Sequence, residues 1–259
     1  MKLPMYQIDA FASKPFEGNP AAVCPLEAWL PDGLMQLIAE ENNLSETAFF
    51  VATDEGFHIR WFTPTTEVDL CGHATLAAAH VLFECLDYGQ DEILFDSRSG
   101  LLSVAKEGEL LVLDFPAQPP VPCEAPIQIQ HAFGIEAVAC LKAEDYLVVF
   151  ELEEDLLLAD PDLDLLRELD GRGVIITAPS QNYDFVSRFF APNFGINEDP
   201  VTGSSFTQLA PYWAERLGRR KLYAKQLSSR GGEVICELKG DRVAIAGRAV
   251  KYLQGEIEV

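Results

Sequence analysis

RWFTPTTEVDLCGHATLAAAH, residues 60 to 80, decides the fold because much of it returns later in the chain. Five residues, Arg60 to Pro64, have a counterpart in RFFAP, Arg188 to Pro192, 128 positions downstream. Gly72 of DLCGHA then aligns with Gly203 of DPVTGSS at an offset of 131, which needs a three-residue insertion between the two landmarks. Both glycines precede an apolar run with the composition of a buried helix: HATLAAAHVLFECL after the first and SSFTQLAPYWAERL after the second.

Outward from these landmarks the two halves read alike. The first offers a strand at MYQIDAFA and a helix over PDGLMQLIAEEN, opened by Pro31. Strands at TAFFVAT and FHIRWF come next, then the helix from His73 to about Leu86, then strands EILFDS, LLSVAKE and LLVLDF. The second offers the strand DYLVVFEL, the helix PDLDLLREL, strands GVIITA and YDFVSRFF and the helix after Gly203. Strands LYAKQLSS, EVICEL and RVAIAG close it. Each half is β-α-β-β-α-β-β-β. The spacing predicts an α+β protein of two pseudo-symmetric domains, residues 1–117 and 126–259, each a mostly antiparallel, barrel-like sheet around a central helix. Between them lies PAQPPVPCEAP, residues 116–126, whose prolines favour extended backbone. Pro211 is expected to bend its helix or leave a hydrogen bond unmade.

Composition narrows the function classes. Forty-one acidic against 19 basic residues give a formal charge of -22, which repels phosphate backbones and anionic membrane surfaces. With 48% hydrophobic residues, no membrane-length apolar run and no leader-like N-terminus, a soluble cytoplasmic protein is expected. The six cysteines form no CxxC pair and read as reduced thiols; four scattered histidines and the absence of a GxxxxGK[ST] loop argue against a metal centre or a Walker nucleotide site.

The two helix mouths are the candidate chemistry. The first amides of a helix lack internal partners and carry the positive end of its dipole. If the halves face each other, two such ends would converge on one cleft and hold a small carboxylate, with Gly72 and Gly203 allowing close approach. His73, in the first turn, would have its pKa lowered by the dipole and stay neutral. Asp199 is either an Asp-Pro turn residue or the acid facing that cleft, and Ser204 is either a cap or a substrate contact. Glu46, in NNLSETAFF, is either a capping partner of Asn43 or a proton carrier desolvated by Phe49 and Phe50.

FEGNPAAV (16–23), SETAFF (45–50), RWFTPTTEVDLCGHAT (60–75) and EDPVTGSSFTQLAPYWAERL (198–217), in this order and spacing, resemble the phenazine-biosynthesis-like (PhzF-like) family of the diaminopimelate-epimerase fold superfamily. The resemblance implies a homodimeric isomerase without metal or cofactor that moves a proton between carbons of a small carboxylate-bearing metabolite. It places Glu46 as the acid/base, His73 and Asp199 beside it among the catalytic groups, and Gly72, Gly203 and Ser204 at the substrate. Asn19 falls in a loop motif near the site. Relatives in the superfamily racemise with two cysteines, one per helix mouth; Cys71 occupies the first place, but Thr202 occupies the second. Cys71 is then a packing residue or the agent of a one-sided racemase- or dehydratase-type proton abstraction. A non-catalytic small-molecule-binding protein is the remaining alternative.

Overall fold

A computed structural model describes all 259 residues, which divide into two compact units: Met1–Asp114 with Ala246–Val259, and Phe115–Ile245. The second unit thus begins at the edge of the proline-rich stretch, while the last residues, which the sequence groups with the second half, belong to the first unit.

The first unit contains strands β1 (Lys2–Ala10), β2 (Asn19–Leu26), β3 (Glu46–Thr53), β4 (Gly56–Phe62), β5 (Glu67–Val68), β6 (Glu92–Ser97), β7 (Gly100–Glu107) and β8 (Leu110–Pro116). Helix α1 (Asp32–Asn42) precedes β3, and α2 (Gly72–Cys85) precedes β6. Strand pairing runs β1–β2 antiparallel, β2–β3 parallel, β3–β4 antiparallel, β4–β6 parallel and β6–β7 antiparallel. Parallel neighbours need a crossover, and α1 and α2 supply the two required. The second unit has β9 (Val121–Pro122), β10 (Ala139–Lys142), β11 (Tyr146–Val149), β12 (Val174–Pro179), β13 (Phe185–Ala191), β14 (Ile196–Asp199), β15 (Lys221–Gln226), β16 (Gly232–Lys239) and β17 (Arg242–Gly247). Its helices are α3 (Ile127–Phe133), α4 (Glu153–Leu158), α5 (Leu163–Arg167) and α6 (Phe206–Leu217). From β10 onward the pairing repeats the same succession: β10–β11 antiparallel, β11–β12 parallel, β12–β13 antiparallel, β13–β15 parallel, β15–β16 antiparallel. Two pseudo-symmetric α+β units, as the repeat predicts, follow from that agreement. The final strand, β18 (Ala249–Glu258), pairs antiparallel along β1 from Ala10 to Lys2.

Helix α2 is buried from His73 to Ala79 and from Val81 to Phe83, against β1, β2 and β3. Its alanines explain both properties: they favour helix, and their small side chains let strands approach on every side. In α6, Phe206 to Ala210, Trp213 and Ala214 are buried; Trp213 stacks on Phe185 at 5.4 Å and donates to Thr177 Oγ1 at 3.0 Å. Pro211 sits inside α6 without ending it. Proline has no N–H to give the Thr207 carbonyl one turn earlier, and Gln118 N, from the proline-rich stretch, donates there instead at 2.9 Å. No helix is long and apolar enough to cross a membrane.

One clamp recurs in both units. Arg60 on β4 grips Glu67 on β5 with two hydrogen bonds, 2.7 and 2.8 Å, and its guanidinium lies 5.2 Å from the Phe62 ring. Arg188 on β13 grips Glu198 on β14 with bonds of 2.7 and 3.0 Å and lies 5.0 Å from Phe190. The paired strands that lead toward each helix mouth are therefore fixed by the same planar two-point contact. The side chains of Arg60 and Glu67 are only 11% and 13% exposed, so removing one partner strands a charge in poor solvent. Glu67→Ala is expected to cost about 3 kcal/mol in urea unfolding, whereas Arg98→Ala, which removes a half-exposed second partner of Glu67, should cost under about 1 kcal/mol.

Candidate active site

Five residues of the first unit meet at the mouth of α2. Asn19 opens β2, Glu46 opens β3, and Cys71, Gly72 and His73 form the helix start, with Cys71 in extended conformation at the N-cap. Gly18 makes the first of these placements possible. It has φ +66°, and a Cβ there would stand 2.1 Å from the Ala10 carbonyl oxygen, so only glycine brings Asn19 in along β1. Glu46 is delivered by the end of α1, where Asn43 takes the left-handed conformation and turns the chain into β3. Asn43 is thus a C-cap, and Glu46 points into the protein instead of capping a helix.

The imidazole of His73 lies between its acidic neighbours. Its Nε2 is 3.1 Å from Glu46 Oε2; its Nδ1 is 3.2 Å from Asn19 Nδ2 and 3.5 Å from Cys71 Sγ. All four side chains are buried. Close as they are, Glu46 Oε2 and His73 Nε2 are not aligned as a hydrogen bond, and neither makes a well-formed bond elsewhere in the chain. Their attraction is a contact of charges that leaves both atoms directional capacity for a third group. No side chain caps α2.

The pKa of His73 is shifted in the direction opposite to the sequence expectation. Burial alone would lower its pKa, as would the helix dipole, but the flanking acids Cys71 and Glu46 outweigh burial and hold it well above 6.5. Nearest neighbours at 3 to 4 Å overcome a diffuse dipole because Coulomb energy grows as distance and dielectric fall. The Cys71 thiol is raised, first by burial and then by the Glu46 charge, against the opposing pull of His73 and the Ala74 N–H. The acids flanking the ring thus set the direction of the His73 shift, and burial sets that of the Cys71 thiol. Because the folded pKa of His73 lies above 6.5, its stabilising contribution is complete below that pH and fades as pH rises through the folded value.

Glu46, Cys71 and His73 also bring three potential metal ligands within 4.8 Å of one another. The imidazole, however, stands between the other two: one ring nitrogen faces the carboxylate and the other the thiol. One ion would reach all three only after the ring swung out of this relay, so the arrangement fits proton movement better than chelation.

The second mouth, in the other unit, is armed differently. Strand register fixes the correspondence: Thr47 lies opposite Phe62 as Val174 lies opposite Phe190, so Gly173 holds the place of Glu46. A Cβ on Gly173 would meet Phe189 Cζ at 2.6 Å and the Phe190 carbonyl oxygen at 2.7 Å, which excludes any side chain. Ser204, after Gly203, holds the place of His73. Its Oγ accepts from Arg172 Nη1 at 2.9 Å, and Arg172 is gripped by buried Asp145 through Nε and Nη2 at 3.0 and 2.5 Å. Gln208 of α6 donates to the same Asp145 oxygen at 2.8 Å. Burial works against the Arg172 charge, but Asp145, Glu144 and Asp199 raise its pKa. Asp199 ends β14, buried, and its Oδ2 accepts from Thr202 Oγ1 at 2.5 Å. Gln226 closes the group, donating to Asp199 O at 2.8 Å and accepting from Thr202 N at 2.9 Å. Sequence reading names Asp199, Gly203 and Ser204 but passes over Arg172, Asp145, Gln208 and Gln226, whose contacts form only when strands distant in sequence are paired.

Comparison with known proteins follows the same lines. Residues 8–255 match the PhzC-PhzF family, described as phenazine biosynthesis-like protein. The chain is 54% identical over 259 residues to an uncharacterised isomerase of Pseudomonas aeruginosa, covering 100% of both. It is similar to the crystal structure of a PhzF-family phenazine biosynthesis protein of Enterococcus faecalis, with TM-score 0.98, 46% identity and 100% of each chain covered. A hydroxyproline epimerase from Agrobacterium vitis shares the fold at TM-score 0.66 and 10% identity, over 99% of this chain and 92% of that one.

Two measurements test this geometry. NMR titration of the imidazole resonances should place the His73 midpoint above 6.5 and move it down in Glu46→Gln, which removes a flanking negative charge; a midpoint below 6.5 in the native chain would contradict the ion-pair description. Gly173→Ala should lose about 2 kcal/mol or more of stability from overpacking against strand backbone, whereas Gly134→Ala, with no atom near its missing Cβ, pays only for its left-handed φ of 62°.

Proposed function

The chain belongs to the phenazine biosynthesis-like protein family, and from that premise we propose that it is a proton-transferring isomerase of a small carboxylate-bearing metabolite, working without metal or organic cofactor. The observation that carries the reading is the buried pair of Glu46 Oε2 and His73 Nε2, 3.1 Å apart at an uncapped helix mouth.

In this mechanism Glu46 is the acid/base. Its carboxylate takes a proton from a substrate carbon whose acidity is raised by a conjugated acid group. The electron pair left on that carbon shifts along the adjoining double bond, and protonated Glu46 returns the proton to a second carbon. His73, 3.1 Å away, orients the Glu46 carboxyl group for both transfers. The amides of Gly72 and His73 face the developing negative charge, where preorganised donors stabilise a transition state more than a resting substrate. Asn19 stands 3.2 Å from His73 Nδ1 on the ring's far side and limits how the imidazole can turn. We assign Asp199, Gly203 and Ser204 to substrate contact; the Ser204 hydroxyl, which accepts from Arg172, keeps its own proton to donate.

A thiol-based abstraction has one observation in its favour, the 3.5 Å approach of Cys71 Sγ to His73 Nδ1. Against it, burial and the Glu46 charge keep the thiol protonated, and the corresponding residue of the second unit, Thr202, already gives its hydroxyl to Asp199. A pure binding protein would need no acid buried against a histidine.

Incubating the protein in heavy water with a panel of unsaturated carboxylic acids tests the reading, with mass spectrometry following deuterium at carbon. Turnover and exchange should drop by about 100- to 10,000-fold in Glu46→Gln. Asp199→Asn should fall less steeply, and Cys71→Ala should stay within about tenfold of the native rate. Loss of exchange in Cys71→Ala with Glu46→Gln unaffected would hand the chemistry to the thiol.

A further inference from the structure

Away from both helix mouths, two sulfurs of the second unit are set opposite each other. Cys123 follows directly on β9, whose register on β10 pairs Val121 with Lys142 and Pro122 with Leu141, so the next step places Cys123 across from Cys140. Its backbone N–H donates to the Cys140 carbonyl at 3.0 Å, and the two Sγ atoms are 3.6 Å apart. Residues that face each other this way across antiparallel strands have Cα atoms about 5.5 Å apart, within the span a disulfide bridges. Closing the remaining gap between sulfurs takes a side-chain rotation and no movement of the backbone.

We propose that Cys123 and Cys140 are an oxidation site, a thiol pair that hydrogen peroxide converts to an intramolecular disulfide. The two sulfurs divide the work by exposure. Cys123 is partly exposed and meets the oxidant, whereas Cys140 is buried, and burial, followed by the hydrogen bond with Cys123, pushes its thiol up to about 12. In the first step the Cys123 sulfur attacks one oxygen of hydrogen peroxide; the O–O bond breaks, a sulfenic acid forms, and the leaving hydroxide takes up the proton released by the thiol and departs as water. In the second the Cys140 sulfur attacks that sulfenic sulfur; the S–S bond forms, the S–O bond breaks and a second water leaves with the Cys140 proton. Two thiols are oxidised by two electrons and one peroxide is reduced to two waters.

The bond would close the loop that contains α3, whose Ile129 and Phe133 share a core cluster with Cys140. It would also staple β9, a strand of two exposed residues, to the sheet it only borders. Cys24 and Cys236, also pushed up to about 12 by burial, lie sealed in the interior, where an oxidant does not reach.

The full chain decides the matter. Lys106 and Lys142 bracket both cysteines with no Lys or Arg between, so trypsin releases them on one peptide, residues 107–142. After brief exposure to a small excess of hydrogen peroxide and quenching with N-ethylmaleimide, that peptide should be lighter by about 2 Da and carry no maleimide, and dithiothreitol should reverse both changes. Cys123→Ser and Cys140→Ser should each abolish the loss. The oxidised chain should melt about 5 °C or more above the reduced one. Two maleimides on the peptide after oxidation, a sulfinic acid accumulating on Cys123, or disulfide-linked dimers in its place would each overturn the proposal. Should either serine variant fail to fold, the mass of the native peptide is sufficient on its own.

Discussion

A carboxylate and an imidazole are expensive to bury, and the first unit is organised around making that burial tolerable. Each ion withdrawn from water costs several kcal/mol even after relaxation. Glu46 and His73 offset this only by facing each other at 3.1 Å while α2 turns uncapped amides toward the same point. Three separate constraints hold the pair in register: the left-handed turn at Asn43 that starts β3, the glycine at 18 that lets β2 begin with Asn19, and the alanine faces that let strands close over α2. Loosening any one of them would leave a buried charge without its partner, so packing and electrostatics in this region cannot be altered independently.

Duplication supplies the scaffold twice, but the two copies have parted at their chemistry. The arginine clamps on Glu67 and Glu198, the aromatic rings beneath them and the succession of strand pairings are retained in both units. At the third strand and the helix mouth the retained geometry holds different side chains. Where the first unit has an acid and an imidazole, the second has a glycine with no space for a side chain, a serine and an arginine fixed by buried Asp145. One copy keeps an acid and an imidazole in contact, and the other keeps hydrogen-bond donors of fixed direction. A duplicated fold used in this way yields a chemically one-sided protein from a two-sided plan.

Much of this was legible in the chain itself, for physical reasons that also mark the limits. The strands EILFDS and RVAIAG and the helix after Gly72 stand out because dense apolar runs are bounded by turn residues, and they occur where expected. Strand β2 does not stand out in the sequence, where Pro20 and Pro25 interrupt it, yet it lies between β1 and β3 with both prolines partly buried. Strand β18 was hidden by its polar, largely exposed composition. At the site, Glu46 and His73 are marked by their motifs, whereas Arg172 and Asp145 are not, since their contact spans 27 residues and arises only from tertiary pairing. The direction of the His73 shift is not legible in the sequence, because a dipole is visible in a helix start and the proximity of Glu46, on another element, is not.

The placement of β18 has a consequence for how the protein is made. Strand β1 precedes the second unit in the chain, and the partner it binds from Ala10 to Lys2 is synthesised only after the whole of Phe115–Ile245. Through most of translation, then, the first unit presents an open strand edge, a surface prone to mispairing with other chains. The β1 edge of the first unit is therefore covered only when the last strand, Ala249–Glu258, is made.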